Sequence, residues 1–172
     1  MPLILAYGDH VPALDDGAWL APNATVVGDV QAAADTSVFY GAVVRADMAA
    51  VRIGPESNLQ DNVVVHTDYG FPTHVGARVS VGHAAVVHGC TIEDDCLIGM
   101  HATVLNGAVI GAGSLVAAGT VVLEGTRIPP GSLVTGVPGK VRRALTEEEQ
   151  AKIVANAATY VQLAAGHRRS AG

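Results

Sequence analysis

The sequence predicts an all-β fold, a left-handed parallel β-helix shaped as a triangular prism, followed by a C-terminal α-helix. Two observations predict the β-helix: an aliphatic residue recurs at every sixth position, and the composition suits short strands joined by tight turns. Of the 172 residues, 49% are hydrophobic, but only 4% are aromatic and 15% are charged, and 20 are glycine. Small and β-branched side chains dominate the apolar fraction, which is typical of closely stacked strands.

The six-residue period fits neither an α-helix nor an alternating strand. It fits a unit of one short strand and one corner, three of which complete a coil of about 18 residues, as in hexapeptide β-helices. The left-handed sense is the usual one for this repeat class. The residues predicted to face the interior are Leu20, Val26, Ala32, Val38, Val44, Ile53, Leu59, Val65, Val75, Val81, Val87, Ile92, Ile98, Val104, Ile110, Val116, Val122, Ile128 and Val134.

Two breaks interrupt the ladder of interior residues. Nine residues instead of six separate Val44 from Ile53, and ten separate Val65 from Val75. The second break predicts a four-residue insertion in the loop between Thr67 and His74. Because interruptions in a regular solenoid tend to carry function, we expect the functional site near these loops.

The sequence changes character after the last repeat, which predicts a β-helix domain over residues 1–141 and a helix with its tail over 142–172. Thr146 and Glu149 form a capping box that begins a helix, expected over about 146–165. Apolar residues then recur at helical spacing. This helix should lie along the solenoid or pack on a neighbouring subunit.

Composition and charge exclude several functional classes. A formal net charge of −6 and an isoelectric point near 5.5 argue against binding to nucleic acid or to an anionic membrane. No segment approaches the ~18 apolar residues of a membrane span, and the start lacks the basic region of a signal peptide. The two cysteines, Cys90 and Cys96, are interpreted as small core residues. We therefore expect a cytoplasmic protein without a disulfide framework.

Three histidines stand in an informative register. His66 and His88 both follow a ladder residue, and 22 residues separate them, which is one 18-residue coil plus the four-residue insertion. The two rings should therefore stack on one edge of the prism, ~4.8 Å apart. His83 falls on another face and can reach them only if identical prisms pack side by side as a trimer. Three imidazoles with an open fourth position are the ligand set of a catalytic zinc site.

The chain resembles the γ-class carbonic anhydrases and the wider γ-carbonic-anhydrase-like hexapeptide proteins over essentially its whole length. The matching segments are APNATVVGDV, VVRAD, NLQDNVVVHTD, VGHAAVVHGCTI, IGM and TGVPGK. The resemblance implies a homotrimer with Zn²⁺, or alternatively Fe²⁺ or Co²⁺, bound between subunits by His66, His83 and His88. It implies hydration of CO₂ to bicarbonate by that metal site.

The same resemblance implies roles for five further residues. Arg45 and Asp47 would lie near the subunit interface and the ligands, although they could equally form a structural ion pair. Asp61 would accompany Gln60, whose side chain would hydrogen-bond solvent at the metal. Tyr160 stands where related sequences often carry a tyrosine, with packing of the helix as the alternative role. His10, His74 and His101 are expected to be ordinary surface or core residues.

One departure from the family pattern concerns proton transfer. In the well-active archetype a glutamate follows the aspartate of the RxD segment and an acidic loop supplies a second one. Here Met48 follows Asp47, and the insertion DYGFPTH carries one carboxylate, Asp68. Activity would be low unless Asp68, His74 or Tyr160 substitutes, since general acid–base help is typically worth 10²–10⁴-fold.

Two other functional classes stay open from the sequence alone. The repeats and the TGVPGK segment suit a hexapeptide acyl-CoA transferase, or a thioesterase that uses the same activated water. A trimeric scaffold subunit that keeps its metal for stability, with little or no catalysis, is the second alternative.

Overall fold

A computed structural model of the chain describes residues 1–170, so residues 171–172 of the predicted C-terminal tail lie outside the described residues. The predicted left-handed parallel β-helix with a C-terminal helix is confirmed. Within residues 1–170 the elements are β1 (Leu3–Leu5), β2 (Ala13–Leu14), β3 (Trp19–Leu20), β4 (Thr25–Ala32), β5 (Ser37–Val38), β6 (Val43–Ile53), β7 (Asn58–Leu59), β8 (Val64–His66), β9 (Thr73–Val75), β10 (Ser80–Val81), β11 (Val86–His88), β12 (Thr91–Ile92), β13 (Leu97–Ile98), β14 (Thr103–Val104), β15 (Val109–Ile110), β16 (Leu115–Val116), β17 (Val121–Val122), β18 (Arg127–Ile128), β19 (Ser132–Thr135), β20 (Lys140–Ala144) and α1 (Glu147–Ser170).

The strands stack in parallel into the three faces of a prism. Face 1 contains β8, β11, β14 and β17, together with the first halves of β4 and β6. Face 2 contains β9, β12, β15 and β18, together with the second halves of β4 and β6. Face 3 runs from β3 through β5, β7, β10, β13, β16 and β19 to β20, which is antiparallel to β19.

The predicted ladder forms the core of the prism. Almost all of its members are buried, and many, such as Val87 and Ile98, have no exposed surface. Strand pairing places ladder residues over their equivalents in the next coil, as with Val81 over Ile98, and their burial shows that the side chains face the interior. Burial of one such valine or isoleucine stabilises the fold by roughly 1.5–3 kcal/mol. Cys90 and Cys96 are free and buried in the same core, as expected.

The corner between face 1 and face 2, hereafter the irregular corner, collects the departures from the repeat. Both predicted breaks lie there: β6 runs continuously through the first, and the insertion between β8 and β9 forms the second. The structure adds a third break that the sequence analysis missed. Only five residues separate Val87 from Ile92, so the coil that pairs Val81 with Ile98 has 17 residues.

The C-terminal helix begins as predicted but ends later. Thr146 Oγ1 accepts a hydrogen bond from Glu149 N at 3.2 Å, and Glu149 Oε2 accepts one from Thr146 N at 2.9 Å, which confirms the capping box. The helix contacts β10, β7, β5 and β3, so it runs back along face 3 for about 36 Å. Its last turn is anchored by Arg168, which donates to the carbonyl of Gly17 at 2.6 Å. Among residues 1–170, α1 is too polar to count as a membrane-spanning helix.

Candidate metal site

The paired histidines end two neighbouring strands of face 1. His66 closes β8, His88 closes β11, and the two residues are directly paired in the sheet, which confirms the predicted register. Their ring centroids are 4.9 Å apart. His66 Nδ1 lies 2.9 Å from His88 Nε2, so one nitrogen of each ring faces the other ring across the strands. We call these two residues the histidine pair.

The outer nitrogen of each paired ring contacts an oxygen acceptor. His66 Nε2 is 3.0 Å from Asp47 Oδ1, and His88 Nδ1 is 2.7 Å from Asn106 Oδ1. These acceptors assign the proton of each neutral imidazole to its outer nitrogen. The two inner nitrogens are then both lone pairs at 2.9 Å, an arrangement that a cation or a proton between them stabilises.

Asp47 is held between two donors. It lies in β6, where Arg45 forms an ion pair with Oδ2 while His66 contacts Oδ1. Burial raises the pKa of the Asp47 carboxyl, but the hydrogen bonds from His66 and Arg45 outweigh this effect, so its pKa is lowered. The carboxylate therefore stays charged at neutral pH and orients the His66 ring. Arg45 and Asp47 therefore form the ion pair that was one of the two expectations, and Asp47 also contacts His66.

Thr73 joins the two histidine-bearing segments across the insertion. Its Oγ1 donates to the carbonyl of His66 at 2.7 Å and accepts from the amide of Gly89 at 2.9 Å. The side chain is fully buried. Neither Thr73 nor Asn106 was predicted from the sequence. The six-residue period gave no signal for Asn106, because the coil after His88 has 17 residues and Leu105 is therefore the register equivalent of His88.

His83 lies on the opposite edge of face 1, in the turn between β10 and β11. Its Nδ1 is 2.8 Å from Asp61 Oδ2, and 43% of its side chain is exposed. The width of face 1 separates it from the histidine pair. Within residues 1–170, no three His, Cys, Asp or Glu side chains are grouped so that one chain alone could hold a metal ion.

A cleft of about 370 Å³ opens beside His83, between face 3 and α1. Its polar lining includes Gln60, Asn156 and Tyr160, and its apolar lining includes Leu97 and Leu115. The predicted site residues thus divide into two groups. Arg45 and Asp47 accompany the histidine pair, whereas Gln60, Asp61 and Tyr160 accompany His83.

Two residues of the cleft have structural contacts as well. Gln60 is buried, and its Nε2 donates to Asn58 Oδ1 at 3.1 Å. Tyr160 packs edge-on against Phe39, with ring centroids 5.3 Å apart, so the packing role holds for its ring. Burial and the charge of Asp61 raise the pKa of the Tyr160 phenol. Its hydroxyl is therefore a neutral donor at physiological pH.

The three histidines that were expected to be ordinary surface or core residues belong to neither group. His10, His74 and His101 are exposed, at the N-terminal turn, on β9 and at a corner between β13 and β14 respectively. Met48, the residue that departs from the family pattern, is also exposed and follows Asp47 in β6.

Comparison with known proteins identifies both the repeat and its relatives. The family described as bacterial transferase hexapeptide (six repeats) matches residues 89–124. A Methanocaldococcus jannaschii protein named "Probable carbonic anhydrase" is 59% identical over 144 residues, which cover 84% of this chain and 91% of the relative. Gamma carbonic anhydrase 3, mitochondrial, of Arabidopsis thaliana is 50% identical over 165 residues, which cover 92% of this chain. The matched region is 64% of that plant protein, so the chain spans less than two thirds of its length.

Solved structures agree on the fold. The crystal structure of a hexapeptide transferase family protein from Anaplasma phagocytophilum superposes with a TM-score of 0.92. It is 35% identical, and the match covers 95% of this chain and 97% of that one. The names of the relatives therefore include both a carbonic anhydrase and a transferase on one architecture.

Proposed function

Since the chain belongs to the γ-carbonic anhydrase family of hexapeptide-repeat proteins, we propose that it hydrates CO₂ to bicarbonate at metal sites between the subunits of a homotrimer. Each site would combine the histidine pair of one subunit with His83 of its neighbour. Zn²⁺ is the expected ion, with Fe²⁺ or Co²⁺ as alternatives, because three imidazoles accept each of these metals.

One observation carries the proposal: the inner nitrogens of the histidine pair converge while their outer nitrogens are hydrogen-bonded to oxygen. The separation of 2.9 Å is close to the roughly 3.3 Å that two nitrogen ligands of a tetrahedral zinc ion span. Ligating histidines in proteins almost always bind an acceptor through the other nitrogen. The residues present therefore fit a metal ion.

His83 fits the part of a third ligand from a neighbouring chain. Asp61 holds its Nδ1, which leaves Nε2 directed away from its own hydrogen-bond partner. Its exposure supports an intersubunit role, since a ligand shared between chains must lie at the surface of each chain. A closed trimer would also explain the low fraction of charged residues, because each prism would bury its side walls against two other copies.

A divalent ion held by three imidazoles activates water for attack on a carbonyl carbon near neutral pH. The chain's own residues would prepare the site. Asp47 and Asp61 fix the tautomers of His66 and His83, while Arg45 keeps the Asp47 carboxylate charged and in place. Gln60 and Tyr160, which line the cleft beside His83, are suited to hydrogen-bond substrate or solvent.

The proposal is tested by His88→Ala in the full-length protein, with His74→Ala as the matched control. His74 is exposed on β9 and does not belong to the site. We expect His88→Ala to lose most bound metal and, with it, CO₂ hydration, while His74→Ala, which removes an imidazole outside the proposed ligand set, retains its metal. Metal content and hydration should be measured on the same anaerobically purified sample. Full metal and activity in His88→Ala would overturn the site assignment, and metal without hydration in the wild type would favour the scaffold role.

The cleft favours acyl transfer or thioester hydrolysis as the second candidate. Its volume of about 370 Å³ exceeds what CO₂ needs, and Leu97 and Leu115 give it apolar walls. The transferase relative shares the whole fold. Turnover or saturable binding of acetyl-CoA by the same sample would support this function, and the absence of both would leave CO₂ hydration as the proposal.

A further inference from the structure

We infer that Asn106 and Asp68 are positioning residues for His88, and that the four-residue insertion exists to bring the Asp68 carboxylate to the Asn106 amide. This inference rests on the proposed function in one respect, that His88 is a metal ligand. It gives Asp68 a role different from the proton transfer considered from the sequence. Neither residue touches substrate; both would act through the orientation of the His88 ring.

Two hydrogen bonds connect the three side chains in series, a chain called the relay below. Asp68 Oδ2 accepts from Asn106 Nδ2 at 3.3 Å, and Asn106 Oδ1 lies 2.7 Å from His88 Nδ1. A carboxylate only accepts, so it draws the NH₂ group of Asn106 to itself and turns the amide oxygen towards His88. The amide oxygen in turn requires the proton of His88 on Nδ1. Nε2 is then left unprotonated, facing His66.

Asp68 is itself held by the hairpin that the insertion forms. Its amide and carbonyl pair with Phe71, at 3.3 Å and 2.9 Å, across a turn that includes Gly70. Its other carboxylate oxygen, Oδ1, accepts from the amide of Tyr69 at 2.8 Å. Both oxygens of Asp68 are therefore engaged, one by the turn and one by Asn106.

The short corner after His88 makes the relay sterically accessible. Gly89 has a φ of +56°, and a Cβ placed there would lie 2.2 Å from Asn106 Oδ1 and 2.9 Å from the Cβ of Phe71. The missing side chain leaves the space through which the Asn106 amide reaches His88. The same space lets Phe71 of the insertion lie against the corner.

A comparison of the three histidines shows what the relay provides. His66 and His83 each contact a carboxylate directly, Asp47 and Asp61 respectively. His88 contacts an amide instead, and that amide is bonded to Asp68. Each imidazole is thus connected to one carboxylate, directly or through one side chain, and a carboxylate behind a ligating imidazole fixes its orientation and raises its basicity.

The first measurement needs no metal. In metal-free full-length protein, the ring ¹⁵N signals of His88 should show the proton on Nδ1, and Asn106→Ala should shift the tautomer towards Nε2–H. A His88 Nδ1 without a proton in the wild type, or a tautomer that Asn106→Ala leaves unchanged, would overturn the inference.

The second measurement is Zn²⁺ affinity by competition with a chelator. Asn106→Ala should weaken binding by about 10–100-fold, and Asp68→Ala by a smaller factor. Asp68→Ala should cost nothing further in the Asn106→Ala background, because its effect passes through that amide. The exchange Asn106→Asp with Asp68→Asn keeps an acceptor for His88 at 106 and reverses the second hydrogen bond, which Asn at 68 then donates to the carboxylate at 106. It should restore affinity to within about threefold of wild type.

Asp94→Ala is the matched control for charge. It removes the same charge and a corner hydrogen bond, from Ala77 N at 2.8 Å, away from His66, His83 and His88. The relay would be contradicted if Asp68→Ala and Asn106→Ala lowered the Zn²⁺ affinity additively. It would also be contradicted if Asp68→Ala lowered the affinity no more than Asp94→Ala does. A wild-type protein that took up none of Zn²⁺, Fe²⁺ and Co²⁺, yet showed the expected tautomer, would overturn the proposed function and leave the hydrogen-bond assignment standing.

Discussion

At the scale of single residues, the chemistry of the site depends on which nitrogen of each histidine carries a proton. Asp47, Asn106 and Asp61 each occupy one ring nitrogen of His66, His88 and His83. The remaining nitrogen of each ring stays free to accept a cation. The three acceptors come from β6, from the corner after β14 and from the corner after β7, so three coils of the solenoid contribute to tautomer control.

Gly89→Ala tests whether the short corner matters for the site. The substitution forces alanine into the left-handed region, which costs roughly 1–2 kcal/mol, and it drives Cβ into Asn106 Oδ1. We expect a lower free energy of unfolding together with weaker Zn²⁺ binding. Denaturant unfolding and chelator competition measure the two quantities.

Gly119→Ala is the control for backbone strain. Gly119 has a φ of +69°, and a Cβ there would meet nothing within 4 Å. It should lose a similar stability from strain while its affinity for Zn²⁺ stays at the wild-type value. Equal losses of affinity in both variants would contradict a specific role for the corner.

Part of the geometry of this candidate site was predictable from the sequence, for physical reasons. The proximity of His66 and His88 was predictable because a fixed coil length converts a difference in residue number into a distance. Asp61 and Asp47 followed from the family resemblance. Asn106 and Thr73 were missed because their partners lie across an irregular corner, where the repeat no longer converts residue number into position.

At the scale of elements, the C-terminal helix depends on a charged group at its start. Glu149 accepts from Thr146 N and forms two contacts with Arg143 of β20, at 2.7 and 2.8 Å. The hydrogen bond from Arg143 and that from Thr146 lower the pKa of Glu149 from 4.5 to about 2. The group thus joins the helix to the antiparallel strand that closes face 3.

The lowered pKa of Glu149 predicts how acid acts on stability. A carboxyl with a depressed pKa in the folded state contributes stability that is present above its unfolded value, near 4.5, and is lost as the pH falls to about 2. The difference in free energy of unfolding between wild type and Glu149→Gln should therefore shrink between pH 4.5 and pH 2. Urea unfolding at a series of pH values measures it, and a pH-independent difference would refute the assignment.

Two elements escaped prediction because their patterns differ from the repeat. β6 runs over 11 residues and bends around the irregular corner, whereas the period of six predicts two short strands. β20 is exposed along its whole length, so its KVRRA segment shows no alternation of apolar and polar residues. Antiparallel pairing of β20 with β19 supplies hydrogen bonds to what would otherwise be the last edge of face 3.

At the scale of the whole molecule, the solenoid sets the histidine pair and His83 on opposite edges of one face. That separation is what makes the proposed site incomplete within one chain. Side-by-side packing of three identical prisms would bring an edge of each chain to the other edge of the next.

Mixed trimers test the shared site directly. His66→Ala and His83→Ala should each lose Zn²⁺ alone, since each lacks one ligand from every site. After the two proteins are unfolded together and refolded at equal concentrations, about a quarter of the sites should have all three histidines, by random assembly. Zn²⁺ content near that fraction is the expected result.

The control for this experiment mixes His66→Ala with His88→Ala. Both substitutions affect the same half of the site, so no combination of these subunits restores it. Recovery of metal in this control, or none in the first mixture, would contradict a site shared between chains.

The irregular corner confines all three departures from the repeat to one edge of the prism, much as a line defect is confined within an otherwise regular lattice. An extension in β6, an insertion after β8 and a deletion after β11 follow one another along the same edge, while the coils beyond them repeat faithfully. The number of coils and the residues of the candidate site can therefore change independently of each other. Duplicating or deleting a regular coil near the C-terminal end would change the length of the prism and leave the candidate site intact. A change in the chemistry of the site would instead require substitutions or insertions at the irregular corner.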